Sequence, residues 1–353
     1  MEDWKQLVRN SVNTPEKLAA IFDVDLEEMR RVHEVFPIRI NPYYLSLIEK
    51  PGDPIWKQVV PDPKELIRTG VEEDDPLHEE DDSEVPNVTH RYPDRALFYV
   101  NYMCPIYCRF CTRKRKVGDP GSIPDGSIEM GLQYLREHTE VRDVIISGGD
   151  PLMLTDRKIE YVVGGLRAIE HIEIIRIGTR VPVTLPQRIT PKLCEILKKH
   201  HPFYINTHFN HPREITPETT EASARLADAG IPLGNQCVLL RGVNDDPAVM
   251  VELMKKLLKI RVKPYYIYQA DLVYGTDHFR TSVKKGLEIV AALRGHISGL
   301  GVPHYVIDAP GGGGKIALVP NSIVSFDDEE IKLRNYEGNV YGYPSMPFYD
   351  EDW

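Results

Sequence analysis

Three cysteines stand close together in Cys104-Pro-Ile-Tyr-Cys108-Arg-Phe-Cys111. Thiolates are soft ligands, suited to zinc or to iron–sulfur clusters. A structural zinc site usually takes four ligands from paired C-x2-C elements, and no second pair exists here. Three thiolates can instead hold three irons of a [4Fe–4S] cube and leave the fourth iron open to another ligand. Three buried structural cysteines are the bland alternative. Cys194 and Cys237 stand apart, and an odd total argues against a disulfide framework.

Two more segments could do chemistry. Ser147-Gly148-Gly149-Asp150-Pro151 reads by itself as a turn. Asp308-Ala-Pro-Gly311-Gly312-Gly313-Gly314-Lys315 sets a lysine behind four glycines. Such a run could cradle a phosphate with backbone N–H groups, but the P-loop spacing is missing and Ile316 follows the lysine. A flexible linker is the competing reading. A lysine held on a tight loop at a strand end could also form a Schiff base with an aldehyde cofactor.

Positioning these residues requires regular elements. Apolar runs of strand length occur at 96–100, 143–147, 173–179, 203–207, 236–240, 264–268 and 304–308. Helical patterns lie near 127–138, 156–169, 191–199, 217–229, 247–260 and 281–298. Short strands buried on both faces and joined by helices imply a parallel sheet. Six or seven such units predict an α/β fold, a partial (β/α)6-type barrel, with a doubly wound sheet as the alternative. Ligands then belong at the C-terminal strand ends, where the notable residues fall. Residues 1–87 are expected to be a helical N-terminal region, with Thr14 and Asp25 as helix caps, ending in an acidic, solvated connector around 70–87. The barrel would span 88–320 and a short C-terminal extension 321–353.

The C-x3-C-x2-C spacing, with an aromatic residue before the last cysteine, resembles the radical S-adenosylmethionine (SAM) signature. Combined with PGGGGK, the chain resembles the lysine 2,3-aminomutase family. Similar segments run along most of it: NPYYLSLI, HRYPDR, CTRKRK, SGGDPLML, LPQRIT, NTHFNHP, GNQCVLLRGVND, PYYIYQADL, HFRT and RNYEG. The resemblance implies an isomerase that moves the amino group of lysine from C2 to C3, using a [4Fe–4S] cluster, SAM and pyridoxal 5′-phosphate. Cys104, Cys108 and Cys111 would hold the cluster. Gly148, Gly149, Asp150, His208 and Gln236 would contact SAM. Lys315 would carry pyridoxal phosphate, with Arg91, Tyr92 and Arg95 around it, the two arginines facing the phosphate. Arg113 would take the substrate carboxylate, and Asp271 and Asp308 the ε-ammonium. Lys114 to Lys116 read as a solvated basic patch, and His211 as a hydrogen-bonded core histidine.

Two carboxylates at the far end of a pocket suit a cation and oppose a second carboxylate. Lysine therefore leads, with arginine or another ω-cationic amino acid as the alternative. A non-catalytic iron–sulfur sensor would not explain Lys315. Longer relatives bind zinc with a cysteine after GVND and a cysteine-rich tail. Asp246 stands at that place and GYPSMPFYDEDW has no cysteine, so no structural zinc is expected.

The charge balance, 43 − 53 = −10, argues against a nucleic-acid groove. No stretch approaches the roughly 20 apolar residues of a membrane span. The start MEDWKQLVRN lacks a signal-peptide core, so a cytoplasmic homo-oligomer is expected. Its partners would be an amino-acid substrate and an electron donor such as flavodoxin or ferredoxin.

Overall fold

A computed structural model describes residues 3–119, 123–124, 126–327 and 330–344. The end of the C-terminal extension, 345–353, lies outside the described residues. One nine-stranded sheet dominates: β1 (Val88–Tyr92), β2 (Arg95–Asn101), β3 (Asp143–Gly148), β4 (Ile174–Gly178), β5 (Phe203–Thr207), β6 (Leu233–Leu239), β7 (Val262–Gln269), β8 (His304–Ala309) and β9 (Gly314–Leu318). Strands β2 to β8 pair in parallel, and β1 and β9 close the two ends antiparallel. The order is strictly sequential. A doubly wound sheet would reverse its order midway, so that alternative is excluded. Each crossover steps the same way and the sheet curls into a barrel. Its two ends meet where the Tyr92 hydroxyl accepts the Lys315 N–H at 3.1 Å.

The expectation of strands buried on both faces needs correcting. In β3, β4 and β6, buried and half-buried residues alternate strictly. Val144, Ile146, Ile175, Ile177 and Cys237 sit in the core cluster with helical residues such as Leu132, Ile159 and Leu253. The other face carries Ser147, Arg176, Asn206 and Gln236, polar side chains left half-buried. A period of two with one polar face is what a barrel with a working interior requires.

The N-terminal region contains α1 (Trp4–Arg9), α2 (Pro15–Ala19), α3 (Leu26–Val35), α4 (Pro42–Leu45) and α5 (Pro54–Val59). Thr14 and Asp25 cap α2 and α3, accepting from the Lys17 and Glu28 backbone N–H groups. The barrel helices are α6 (Ser127–Glu137), α7 (Asp156–Arg167), α8 (Val181–Thr184), α9 (Pro191–Leu197), α10 (Pro217–Asp228), α11 (Pro247–Lys259) and α12 (Val283–Leu293). Asp246, at the place of the zinc-binding cysteine, caps α11 by accepting from the Ala248 N–H. After β9 the chain forms a separate three-stranded antiparallel sheet, β10 (Ile323–Phe326), β11 (Glu330–Arg334) and β12 (Val340–Pro344). Neither this sheet nor the hairpin partners β1 and β9 were among the expected strands.

The N-terminal region grips the cysteine segment rather than merely preceding the barrel. The Arg39 and Gln58 carbonyls accept from the Tyr107 and Arg109 N–H groups, both at 2.8 Å. Asn41 donates to the carbonyls of Pro105 and Thr184. Glu65, 0 % exposed, takes the Arg109 guanidinium side-on and the Lys114 ammonium at 2.6 Å. Lys114 also donates to the carbonyls of Arg109 and Gly275. It is buried, so its assignment to a solvated patch was wrong. Burial pushes Glu65 up, but Arg109 and Lys114 outweigh it and hold the carboxyl below its ordinary value. Replacing Glu65 with Gln strands two buried cations, a loss of about 3–5 kcal/mol. Chemical denaturation of the metal-free protein should show it as a lower midpoint, and an unchanged midpoint would contradict the role assigned to Glu65.

Candidate active site

The three cysteine sulfurs lie on one loop at the C-terminal end of β2, in the position a strand-end ligand site requires. Burial pushes the Cys104 thiol up and the Cys111 thiol up to about 11. Thiols held this way give up their protons when a metal cation is bound to them. Arg180 brings Nη1 to 2.9 Å from the Cys108 sulfur. Three clustered soft donors beside a guanidinium fit an anionic iron–sulfur cluster.

Segment 147–151 is built against this loop. A Cβ on Gly148 would fall 1.9 Å from the Asn101 carbonyl oxygen, and one on Gly149 would fall 2.5 Å from the Tyr102 carbonyl carbon. Gly148 also has φ +138. Both glycines are therefore needed by their own chain, which leads directly into the cysteines. Asp150 is bound into the same region by its side chain. It is 3 % exposed. Its carboxylate accepts from the Leu152, Arg180 and Val181 N–H groups and from the Thr179 hydroxyl. Its carboxylate thus braces the end of β3 against the segment that follows β4.

His208 directly follows β5, and Gln236 lies midway along the neighbouring β6. His208 packs on Phe110, with ring centres 5.4 Å apart, and its Nε2 bonds Asn210. Burial and Arg180 lower its pKa to about 3, so the ring is neutral. Gln236 is half-buried, beside a register shift between β6 and β7.

Lys315 is the second residue of β9, not part of a loop, and is the direct pairing partner of Asp308. The glycines make the turn between β8 and β9, with φ +67 at Gly311, +80 at Gly312 and +78 at Gly314. Only glycine adopts such angles without strain. Lys315 Nζ reaches Asp308 at 3.0 Å and lies over the Tyr268 ring. Burial pushes the nearby Asp271 up to about 7, with Asp308 adding repulsion and Lys315 opposing it. Arg113 also acts on Asp271, so the expected substrate residues share one electrostatic site.

The acidic connector is the largest surprise. It was expected to be solvated, yet it is tied into the site. Glu79 takes Arg113 through Nε at 3.0 Å and Nη2 at 2.7 Å. The Glu73 backbone pairs with the loop after β7, and the Pro76 carbonyl accepts from Gly311 of the glycine turn. Asp82 and the Leu77 carbonyl hold Arg91 beside the glycine turn, where a Cβ on Gly312 would fall 3.5 Å from its Nη2. Arg95 stacks on Tyr92 at 4.8 Å, pairs with Asp94 and is partly exposed. Arg113 Nη1 has only a long contact, 3.4 Å to the Ser147 hydroxyl. Sequence reasoning missed Glu65, Glu79, Arg109 and Arg180. Polar residues at strand ends, such as Arg180 just past β4, were a usable signal. Charges distant in sequence gave none.

A sequential parallel barrel with three cysteines after its first parallel strand defines a radical SAM protein. Accordingly, residues 98–254 match the model of the radical SAM superfamily. Residues 290–352 match the family described as Lysine-2,3-aminomutase. The chain is 52% identical to L-lysine 2,3-aminomutase of Clostridium subterminale over 97% of its own length and 83% of that protein's. It is 51% identical to the enzyme of that name from Methanococcus maripaludis, over 97% and 81% of the two chains. Glutamate 2,3-aminomutase of Clostridioides difficile is 45% identical over 99% and 85%. The chain belongs to the lysine 2,3-aminomutase family. It is thus an aminomutase, an isomerase working with a [4Fe–4S] cluster, SAM and pyridoxal phosphate.

Borohydride reduction of the loaded enzyme, followed by peptide mapping, should place the pyridoxyl group on Lys315. A label confined to another lysine would exclude the β9 hairpin as the cofactor site.

Proposed function

We propose that the chain converts L-lysine to β-lysine, with Asp271 and Asp308 reading the ε-ammonium and Arg113 the α-carboxylate. The observation that carries the reading is the paired carboxylates beside Lys315. Family membership alone leaves the amino acid open, because a glutamate 2,3-aminomutase is among the relatives. A glutamate side chain would bring a third carboxylate to this end, where charge repulsion opposes it.

The bound groups supply a radical that removes hydrogen from C3 and a conjugated system that supports the odd electron while nitrogen moves from C2 to C3. The residues supply placement. Arg113 and the two aspartates bind the substrate at both ends and fix which hydrogen faces the SAM side, where Cys104, Cys108, Cys111, His208 and Gln236 gather. Such orientation limits side reactions. Glu79 holds Arg113 side-on and keeps its remaining edge aimed into the site. Asp308 pairs with the Lys315 ammonium in this structure. A substrate ammonium would compete with Lys315 for that carboxylate. Tyr92 and Arg95 complete the pyridoxal side.

A homo-oligomer and an external low-potential electron donor belong to the same proposal. Exposed apolar side chains on the C-terminal sheet, Ile323, Val324, Val340, Tyr341 and Tyr343, support self-association. No helix among the described residues is long and apolar enough to cross a membrane.

Replacing Asp271 or Asp308 with Asn removes a charge and keeps the shape. A charge-assisted hydrogen bond is worth about 1.5–3 kcal/mol, so kcat/KM for lysine should fall about ten- to a hundredfold. An uncharged analogue of similar length should lose less, and equal losses would refute the assignment. The pH profile adds a check. Asp271 binds a cation only when ionised, so kcat/KM should rise with pH through about 7. Asp271→Asn should remove that rise, and a rise that survives the substitution would assign it to another group.

A further inference from the structure

Arg180 occupies an unusual place among the residues around the cysteine loop. It follows β4, and its backbone N–H is fixed by Asp150 at 2.7 Å. Its side chain is nearly buried, and its donors are distributed among separate acceptors. Nε reaches the His208 carbonyl at 3.1 Å, and Nη2 reaches Glu214 at 2.7 Å, together with Gln58 and the Tyr44 hydroxyl. Nη1 points at the Cys108 sulfur, 2.9 Å away. Among the described residues this is the only side-chain hydrogen bond to any of the three clustered sulfurs. Glu214 is itself held by the Tyr44 hydroxyl and by the Asn210 and His211 N–H groups, so the guanidinium has no freedom to turn away.

We propose that Arg180 is a positioning residue that sets the reduction potential of the iron–sulfur cluster through Cys108, with Glu214 as its counterweight. The inference rests on the cluster reading above. A [4Fe–4S] centre that takes one electron from a low-potential donor gains one negative charge. A buried cation donating an N–H to a cluster thiolate stabilises that added charge, and hydrogen bonds to cluster sulfurs are among the protein's main means of tuning potential. Glu214 partly cancels the cation, so removing either charge should move the potential in opposite directions. The arrangement also gives Asp150 a use. It fixes the Arg180 backbone, and through it the SGGDP segment is coupled to the cluster's electronics as well as to its shape.

The test compares wild type, Arg180→Gln, Arg180→Lys and Glu214→Gln. Each is reconstituted anaerobically with iron, sulfide and pyridoxal phosphate. Iron and sulfide are counted first, and the midpoint potential is then read by EPR-monitored redox titration. Four irons per chain are expected throughout. The midpoint should fall in Arg180→Gln, lie in between in Arg180→Lys, and rise in Glu214→Gln. A fully loaded Arg180→Gln at the wild-type potential overturns the proposal. Loss of the cluster from both Arg180 variants also overturns it, since Arg180 would then be a brace alone. A wild-type protein that holds no [4Fe–4S] cluster would instead defeat the cluster reading itself.

Discussion

A carboxylate with no access to water sits between two cations, and the chemistry of this chain depends on it. Glu65 belongs to the N-terminal region, while Arg109 and Lys114 flank Cys111 on either side. A buried pair of this kind adds little net stability over an apolar replacement, but losing one partner is costly. Its consequence is geometric. The cysteine loop has no regular secondary structure of its own, and its backbone groups find partners in residues 39–58. The triad closes that contact with charge that has nowhere else to go. The N-terminal region is therefore what holds the cysteine loop against the strand end.

Charge organises the rest of the interior in the same manner. Arg113, Arg91 and Arg115 all find acidic partners in the segment 75–82. Without that segment, the cations at the strand ends would repel one another and lose their aim. Glu79 leaves one edge of Arg113 directed into the site, while Asp271 and Asp308 gather at the other end around Lys315. In the proposed function these charges would take a molecule that carries a carboxylate at one end and an ammonium at the other.

Much of the barrel was legible in the sequence because its signal is local. Runs such as DVIIS and FYINT are short, β-branched or aromatic, and bounded by turn residues, so their limits agree with β3 and β5 to within a residue. Strand β6 begins three residues before its expected start, because Leu233-Gly234-Asn235 carries too little apolar character to announce a strand. Strand β9 was hidden by the glycines before it, which read as a loop. Lys315 stood out for its chemistry, but its position opposite Asp308 did not, since hairpin register depends on a turn whose geometry the glycines leave open. The acidic connector misled for a different reason. Composition says that Glu79 and Asp82 prefer water, and nothing local reveals the arginines waiting for them.

The central claim is that two aspartates beside Lys315 make this aminomutase act on lysine. Its most direct test supplies the reconstituted enzyme, under anaerobic reduction with SAM and pyridoxal phosphate, with either 13C-labelled L-lysine or 13C-labelled L-glutamate. NMR follows the products. The account predicts β-lysine from the first, with SAM needed only in catalytic amounts, and no change in the second. Formation of β-glutamate, or lysine left untouched by enzyme carrying its full cluster and pyridoxal phosphate, would contradict it.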